Sequence, residues 1–221
     1  MPRPSAGSRT SPFPEDPDVL ARLAASDPVI AKLIERYGSP AGVLERRGRR
    51  PGDAYGALVR SIVGQQLSTR SARAIFGRLV GLFGDRTPTP RELLDADPQT
   101  LRDVGLSRAK VAYLRDLAER VEDGDLDLDA IAQMSDEEVA AQLTQVNGLG
   151  PWSVQMFLIF HLGRPDVLPA GDLGIRRAVQ TEYGLDDLPD AAELERISEP
   201  WRPHRSLASL YLWRSLDQSP V

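Results

Sequence analysis

The stretch LTQVNGLGPWSVQMFL, Leu143 to Leu158, sets two glycines two positions apart between a helix end and an apolar run that opens with proline and tryptophan. Glycine permits positive φ and close backbone approach, so Val146 to Gly150 reads as a tight turn. Proline at a first helical position, followed by apolar residues, predicts a new helix directly after it. Helix, glycine turn and helix together make a hairpin. The amides of such a turn, with those opening the next helix, present partial positive charge and form a backbone site for an anion such as a phosphodiester. On the glycines alone, a tight turn with no ligand accounts for the pattern as well as an anion site does.

The same punctuation continues outward. Asp27-Pro28 opens VIAKLIERYG, Asp97-Pro98 opens QTLRDVG, and Ser135 with Glu138 makes a capping box ahead of VAAQLTQV. Glycines 38, 84, 105, 124 and 184 stand where helices close. Only DVLP, Asp166 to Pro169, offers a short candidate strand. The expectation is an all-α fold of roughly ten helices joined by short loops. LRDVGLSRAKVAYL, Leu101 to Leu114, repeats the hairpin pattern without the second glycine, so only the later copy reads as a specialised turn.

With 221 residues and 41% hydrophobic content, the chain has enough apolar side chain for one large domain or two lobes. It has no cysteine, which excludes disulfides, thiolate metal sites, a cysteine nucleophile and a cysteine-ligated iron–sulfur cluster. Two histidines exclude a histidine-rich metal site. The lead MPRPSAGSRTSPFPEDP is rich in proline and serine, and residues 1–16 read as a disordered tail with no signal peptide; no apolar window is long enough for a membrane span. The expectation is a soluble intracellular protein. A net charge of −5 argues mildly against a nucleic-acid partner, but the charge is segregated. Residues 57–80 carry Arg60, Arg70, Arg73 and Arg78 and no acid, while residues 85–145 hold fifteen acidic and seven basic residues.

The spacing LxxVxGLGxxS resembles the helix-hairpin-helix motif of DNA repair proteins. The resemblance continues, in family order, through SIVGQQLSTRSA, GLSRAKVAYLRDLA, VLPAGDLGIRRAV and WRPHRSLASLYLW, covering most of residues 55 to 216. These segments resemble the helix-hairpin-helix/Gly-Pro-Asp superfamily of DNA glycosylases, and within it the 3-methyladenine DNA glycosylase II type in a compact form without an N-terminal β domain. The resemblance implies two helical lobes, residues 17–54 plus 170–221 and residues 55–169, with the active site in the cleft between them. It implies a monofunctional hydrolase that flips alkylated purines, 3-methyladenine and 7-methylguanine, out of double-stranded DNA. A monomer in the bacterial cytoplasm, associated with the nucleoid and with no membrane partner, goes with that function.

Asp172, ahead of LGIRRAVQTEY, reads by itself as a helix N-cap; the resemblance makes it the catalytic carboxylate as well. Trp152 and Trp213 then line the base pocket, although core packing is an adequate reading of each. The DNA contacts implied are Gln65, Gln66, Leu67 and Ser68, with the wedge at Gln66 where some relatives carry leucine, together with Asn147, Gly148, Leu149, Gly150, Trp152 and Ser153. Trp152 stands where bifunctional relatives carry a Schiff-base lysine, which disfavours lyase activity. No cofactor is required, but the family's monovalent cation, Na+ or K+, maps to the main-chain carbonyls of Thr144, Val146 and Leu149. His204 and Arg205 carry no assigned role. Two other functions fit the same residues: a non-catalytic DNA-damage-binding protein, and a glycosylase for other damaged bases.

Overall fold

A computed structural model of the protein describes residues 16–40 and 52–216. The expected tail, residues 1–16, lies outside the described residues except for Asp16. Asp16 caps the first helix by accepting from Asp18 N at 2.9 Å. The described residues form twelve α-helices and no strand. They run as α1 Pro17–Ser26, α2 Pro28–Tyr37, α3 Ala54–Gly64, α4 Thr69–Gly81, α5 Pro90–Asp95, α6 Pro98–Asp103 and α7 Arg108–Glu122. Then follow α8 Asp136–Leu143, α9 Pro151–Phe157, α10 Leu173–Tyr183, α11 Ala191–Ser198 and α12 Arg205–Leu216. Side-chain N-caps start many of them, among them Asp27, Asp53, Ser68, Asp97, Ser107 and Asp190, each worth about 1 kcal/mol.

The chain divides into two compact units, Met1–Arg49 with Leu158–Val221, and Arg50–Phe157. Hydrogen bonds fasten the segment leading to residue 170 to α12. Ser206 N donates to Pro165 O at 3.0 Å, Val167 N to Ser206 Oγ at 2.9 Å, and Ser206 Oγ to Arg164 O at 2.7 Å. DVLP is therefore clipped to α12 by Ser206 and Arg205, and among the described residues no strand lies alongside it.

In the unit Arg50–Phe157, α7 packs against α3, α5 and α6 over Leu58, Ile62, Leu93, Leu101 and Leu114, all essentially inaccessible. In the other unit a carboxylate ties three segments together. Asp27 Oδ1 caps α2 by accepting from Val29 N at 2.8 Å and Ile30 N at 3.1 Å. Its Oδ2 accepts from Tyr183 Oη at 2.6 Å, at the end of α10, and from Trp201 Nε1 at 2.9 Å. Most residues of α12 are buried, with Ser206, Ser209 and Ser215 each donating to a backbone carbonyl; its one buried guanidinium, Arg214, sits 5.3 Å from the Tyr37 ring.

Candidate active site

Asp172 does cap α10: its Oδ1 accepts from Ile175 N at 2.8 Å. The same oxygen also accepts from Trp213 Nε1 on α12 at 3.0 Å. The carboxylate is half-buried and held by two donors on different helices, a geometry that a cap alone does not require. Trp213 in turn lies against Phe160, ring centroids 5.5 Å apart, so its indole is fixed by a ring contact and by the hydrogen bond. Phe160 belongs to a single π turn, Leu158–Leu162, that continues the chain beyond α9. A Cβ on Gly174 would stand 2.9 Å from Asp172 Oδ1 and 3.4 Å from Trp213 Cδ1, so glycine is the residue that lets helix and carboxylate approach.

Arg205 serves this same segment. Its Nε donates to Asp166 Oδ1 at 2.9 Å and one terminal nitrogen to Asp166 Oδ2 at 3.1 Å, with the side chain only 11% exposed. Arg205 is therefore an internal tie for the chain leading to Asp172.

In the other unit, the hairpin of α8 and α9 forms as the glycines require. Gly148 has φ 85°, and a Cβ there would lie 2.2 Å from Tyr113 Cδ2. Leu149 N donates to Val146 O at 3.0 Å, closing the turn. One expected anion donor is already engaged, since Asn147 N donates to Asp116 Oδ2 at 2.7 Å. The earlier pattern, Leu101 to Leu114, also folds as a hairpin with a positive-φ glycine, Gly105 at 105°, so the turn geometry is not special to the second copy.

The Gln65–Ser68 loop sits beside this turn. Gln65 Nε2 donates to Gly148 O at 2.7 Å and to Ser153 Oγ at 3.3 Å, which makes Gln65 a strut between loop and hairpin. Gln66 is exposed with φ 57°, a left-handed conformation that costs a non-glycine residue about 1–3 kcal/mol. Leu67 is 37% exposed and Trp152 45% exposed, both large apolar side chains left at the surface. Ser68 caps α4 by accepting from Ser71 N at 3.2 Å. Leu149 and Ser153 are buried.

With the fold and these two constellations established, comparison with known proteins places the chain. The family model for the HhH-GPD superfamily base excision DNA repair protein matches residues 59–203. The protein belongs to the HhH-GPD superfamily. Within it, DNA-3-methyladenine glycosylase 1 of Schizosaccharomyces pombe is 35% identical over 188 residues, 84% of this chain and 80% of that protein. DNA-3-methyladenine glycosylase 2 of Escherichia coli is 30% identical over 196 residues, 81% of this chain and 66% of that protein. A longer Bacillus subtilis relative is 36% identical over 169 residues, and the chain spans only 59% of its length. The solved structure of the Schizosaccharomyces pombe 3-methyladenine DNA glycosylase in complex with abasic DNA superposes with TM-score 0.82 at 31% identity, covering 91% of this chain and 98% of that one.

Reading the sequence missed the supports of both constellations. Phe160, Lys110, Tyr113, Asp116 and Asp166 carry no motif of their own. The only signal in the sequence was that Lys110, Tyr113 and Asp116 fall inside GLSRAKVAYLRDLA, polar and aromatic residues three apart along one flank of a helix.

Proposed function

We propose that the protein is a monofunctional DNA glycosylase of base excision repair that hydrolyses the N-glycosidic bond of alkylated purines, of the 3-methyladenine and 7-methylguanine class, in double-stranded DNA. The observation that carries this reading is the Asp172 carboxylate, fixed through one oxygen by Ile175 N and Trp213 Nε1. Alkylation leaves the purine cationic, so the C1′–N9 bond breaks with its electron pair going to the base and needs little help from a general acid. Positive charge then develops on the deoxyribose, where a preorganised carboxylate stabilises it. Water adds to C1′ and its proton passes to the same carboxylate.

Trp152, exposed on the first turn of α9, suits the cationic base, because an indole face attracts a cation by stacking. It is also the reason for hydrolysis without strand cleavage, since an indole cannot form a Schiff base with the sugar. The turn amides of Gly148 and Gly150 are the phosphate donors in this reading, and Gln66 with Leu67 is the wedge that fills the space left by the flipped base.

The carbonyls of Thr144, Val146 and Leu149 would hold a Na+ or K+ ion. They fit it in chemistry: they are neutral oxygens at the end of α8 and in the turn, and Val146 O, which accepts from Leu149 N, keeps a second lone pair. Such an ion supplies positive charge beside the phosphate-binding turn when bound. The reading takes the protein to act as a monomer, in the cytoplasm at the nucleoid. Among the described residues no helix is long and apolar enough to cross a membrane.

The test is release of methylated bases from methylated duplex DNA by the wild type and by Asp172→Asn, with binding to an abasic-site duplex in parallel. Release by the wild type, and binding without release by the variant, is the expected result. If neither protein releases any base while both bind DNA, the protein is a damage binder or acts on another lesion.

A further inference from the structure

One flank of α7 touches both of the loops that the proposed function assigns to DNA. Lys110 Nζ donates to Val63 O at 2.7 Å and to Gln65 O at 2.8 Å, the carbonyls where α3 ends and the Gln65–Ser68 loop begins. Those carbonyls lie at the negative end of α3, where an ammonium is favoured. One turn further along α7, the Tyr113 ring fills the space beneath Gly148. One turn beyond that, Asp116 Oδ2 accepts from Asn147 N at 2.7 Å and from Arg120 Nε at 3.2 Å.

The consequence falls on Gln66. Its neighbour Gln65 is gripped at the main-chain carbonyl by Lys110 and at the side-chain amide by Gly148 O and Ser153 Oγ. A non-glycine residue keeps a positive φ only where its surroundings over-determine it, and these grips are what surround Gln66. Relaxed to negative φ, the loop would point Gln66 and Leu67 elsewhere.

We propose that Lys110 is a positioning residue for base flipping: its ammonium, bridging Val63 O and Gln65 O, holds Gln66 in the left-handed conformation that presents the wedge, while Tyr113 and Asp116 hold the hairpin in register with it. Lys110 does this without touching DNA. The inference rests on the glycosylase reading given above, and its test separates the two.

The experiment is single-turnover base release by the wild type, Lys110→Met and Lys110→Arg from two duplexes carrying the same methylated purine, one paired and one opposite a gap. The gapped lesion is already unpaired, so it needs less from a wedge. Lys110→Met should lose about tenfold or more on the paired lesion and less than about threefold on the gapped one, a difference that reports flipping alone. Lys110→Arg, which keeps the charge and its donors, should recover most of the loss. Fluorescence of 2-aminopurine beside an abasic site should fall with Lys110→Met in step with the loss of release. An equal loss on both substrates overturns the proposal. So does a drop of about one in the salt-dependence slope of binding, which would make Lys110 a phosphate contact. Should Lys110→Met not fold, Lys110→Gln is read by the same criteria. If the wild type releases no base from either duplex, the glycosylase reading fails; if it does and Lys110→Met behaves like it, only the positioning role fails.

Discussion

The indole N–H of Trp213 and the backbone N–H of Ile175 meet on one oxygen of Asp172, at 3.0 Å and 2.8 Å. Trp213 thus anchors the carboxylate by a hydrogen bond. Trp213→Phe keeps a ring against Phe160 and removes only the donor, so the carboxylate keeps its cap and loses its second anchor. Base release under single-turnover conditions should fall about 10- to 100-fold, the scale expected when a catalytic group is mispositioned, with abasic-site binding little changed. Equal losses in release and in binding would mean that Trp213 contacts DNA directly.

Gly148 is constrained twice, by φ 85° and by the Tyr113 ring 2.2 Å from where a Cβ would be. Gly148→Ala should destabilise the protein by about 2–4 kcal/mol, combining backbone strain with overpacking. Adding Tyr113→Ala removes the clash but not the strain, and should recover part of the loss. Denaturant melts of the single and double variants check this; no recovery in the double variant would locate the whole penalty in the backbone.

Asp27 is 6% exposed and accepts four hydrogen bonds, from Val29 N, Ile30 N, Tyr183 Oη and Trp201 Nε1. Asp27→Ala strands buried donors on three segments and should cost about 3–5 kcal/mol. Asp27→Asn retains one acceptor oxygen and should cost less, about 1–3 kcal/mol. Urea denaturation of both variants measures the order; equal stabilities would remove the carboxylate from its place at the centre of this unit.

Burial pushes the Tyr211 hydroxyl from 10.0 up to about 12, where it donates to Gly38 O at 2.7 Å. Below pH 10 folded and unfolded chains both keep that proton, and the full stability is present. Between about pH 10 and 12 the unfolded chain ionises first and binds fewer protons, so stability falls by up to about 1.4 kcal/mol per pH unit for this tyrosine. Tyr183 shifts in the same direction, through burial and then through Asp27, and steepens the fall. Tyr211→Phe should be less stable at neutral pH by about 1 kcal/mol, for the lost hydrogen bond, yet show a shallower decline above pH 10. Parallel slopes for wild type and variant in urea melts across that range would refute the assignment.

Much of the fold was readable because its signals are local. A cap such as Asp27, Asp97 or Ser135 acts within one turn of its own position, and a glycine such as Gly148 answers to its own φ, so helix limits and the hairpin could be placed from neighbouring residues. The DVLP strand was misread for the complementary reason: extended chain becomes a strand only if another strand lies beside it, and here Ser206 on α12 takes the hydrogen bonds instead.

By itself the sequence determined the helical class, the hairpin that carries Trp152, the N-cap at Asp172 and the absence of any cysteine chemistry, since each depends on residue type and short spacing. Only the tertiary structure decided what holds those groups. The bond from Trp213 to Asp172 joins residues 41 positions apart, that from Lys110 to Gln65 O spans 45, and that from Gln65 to Gly148 O spans 83. No periodicity or propensity encodes such pairs. They exist because packed helices bring a donor on one to an acceptor on another, and buried polar groups persist where a partner meets them.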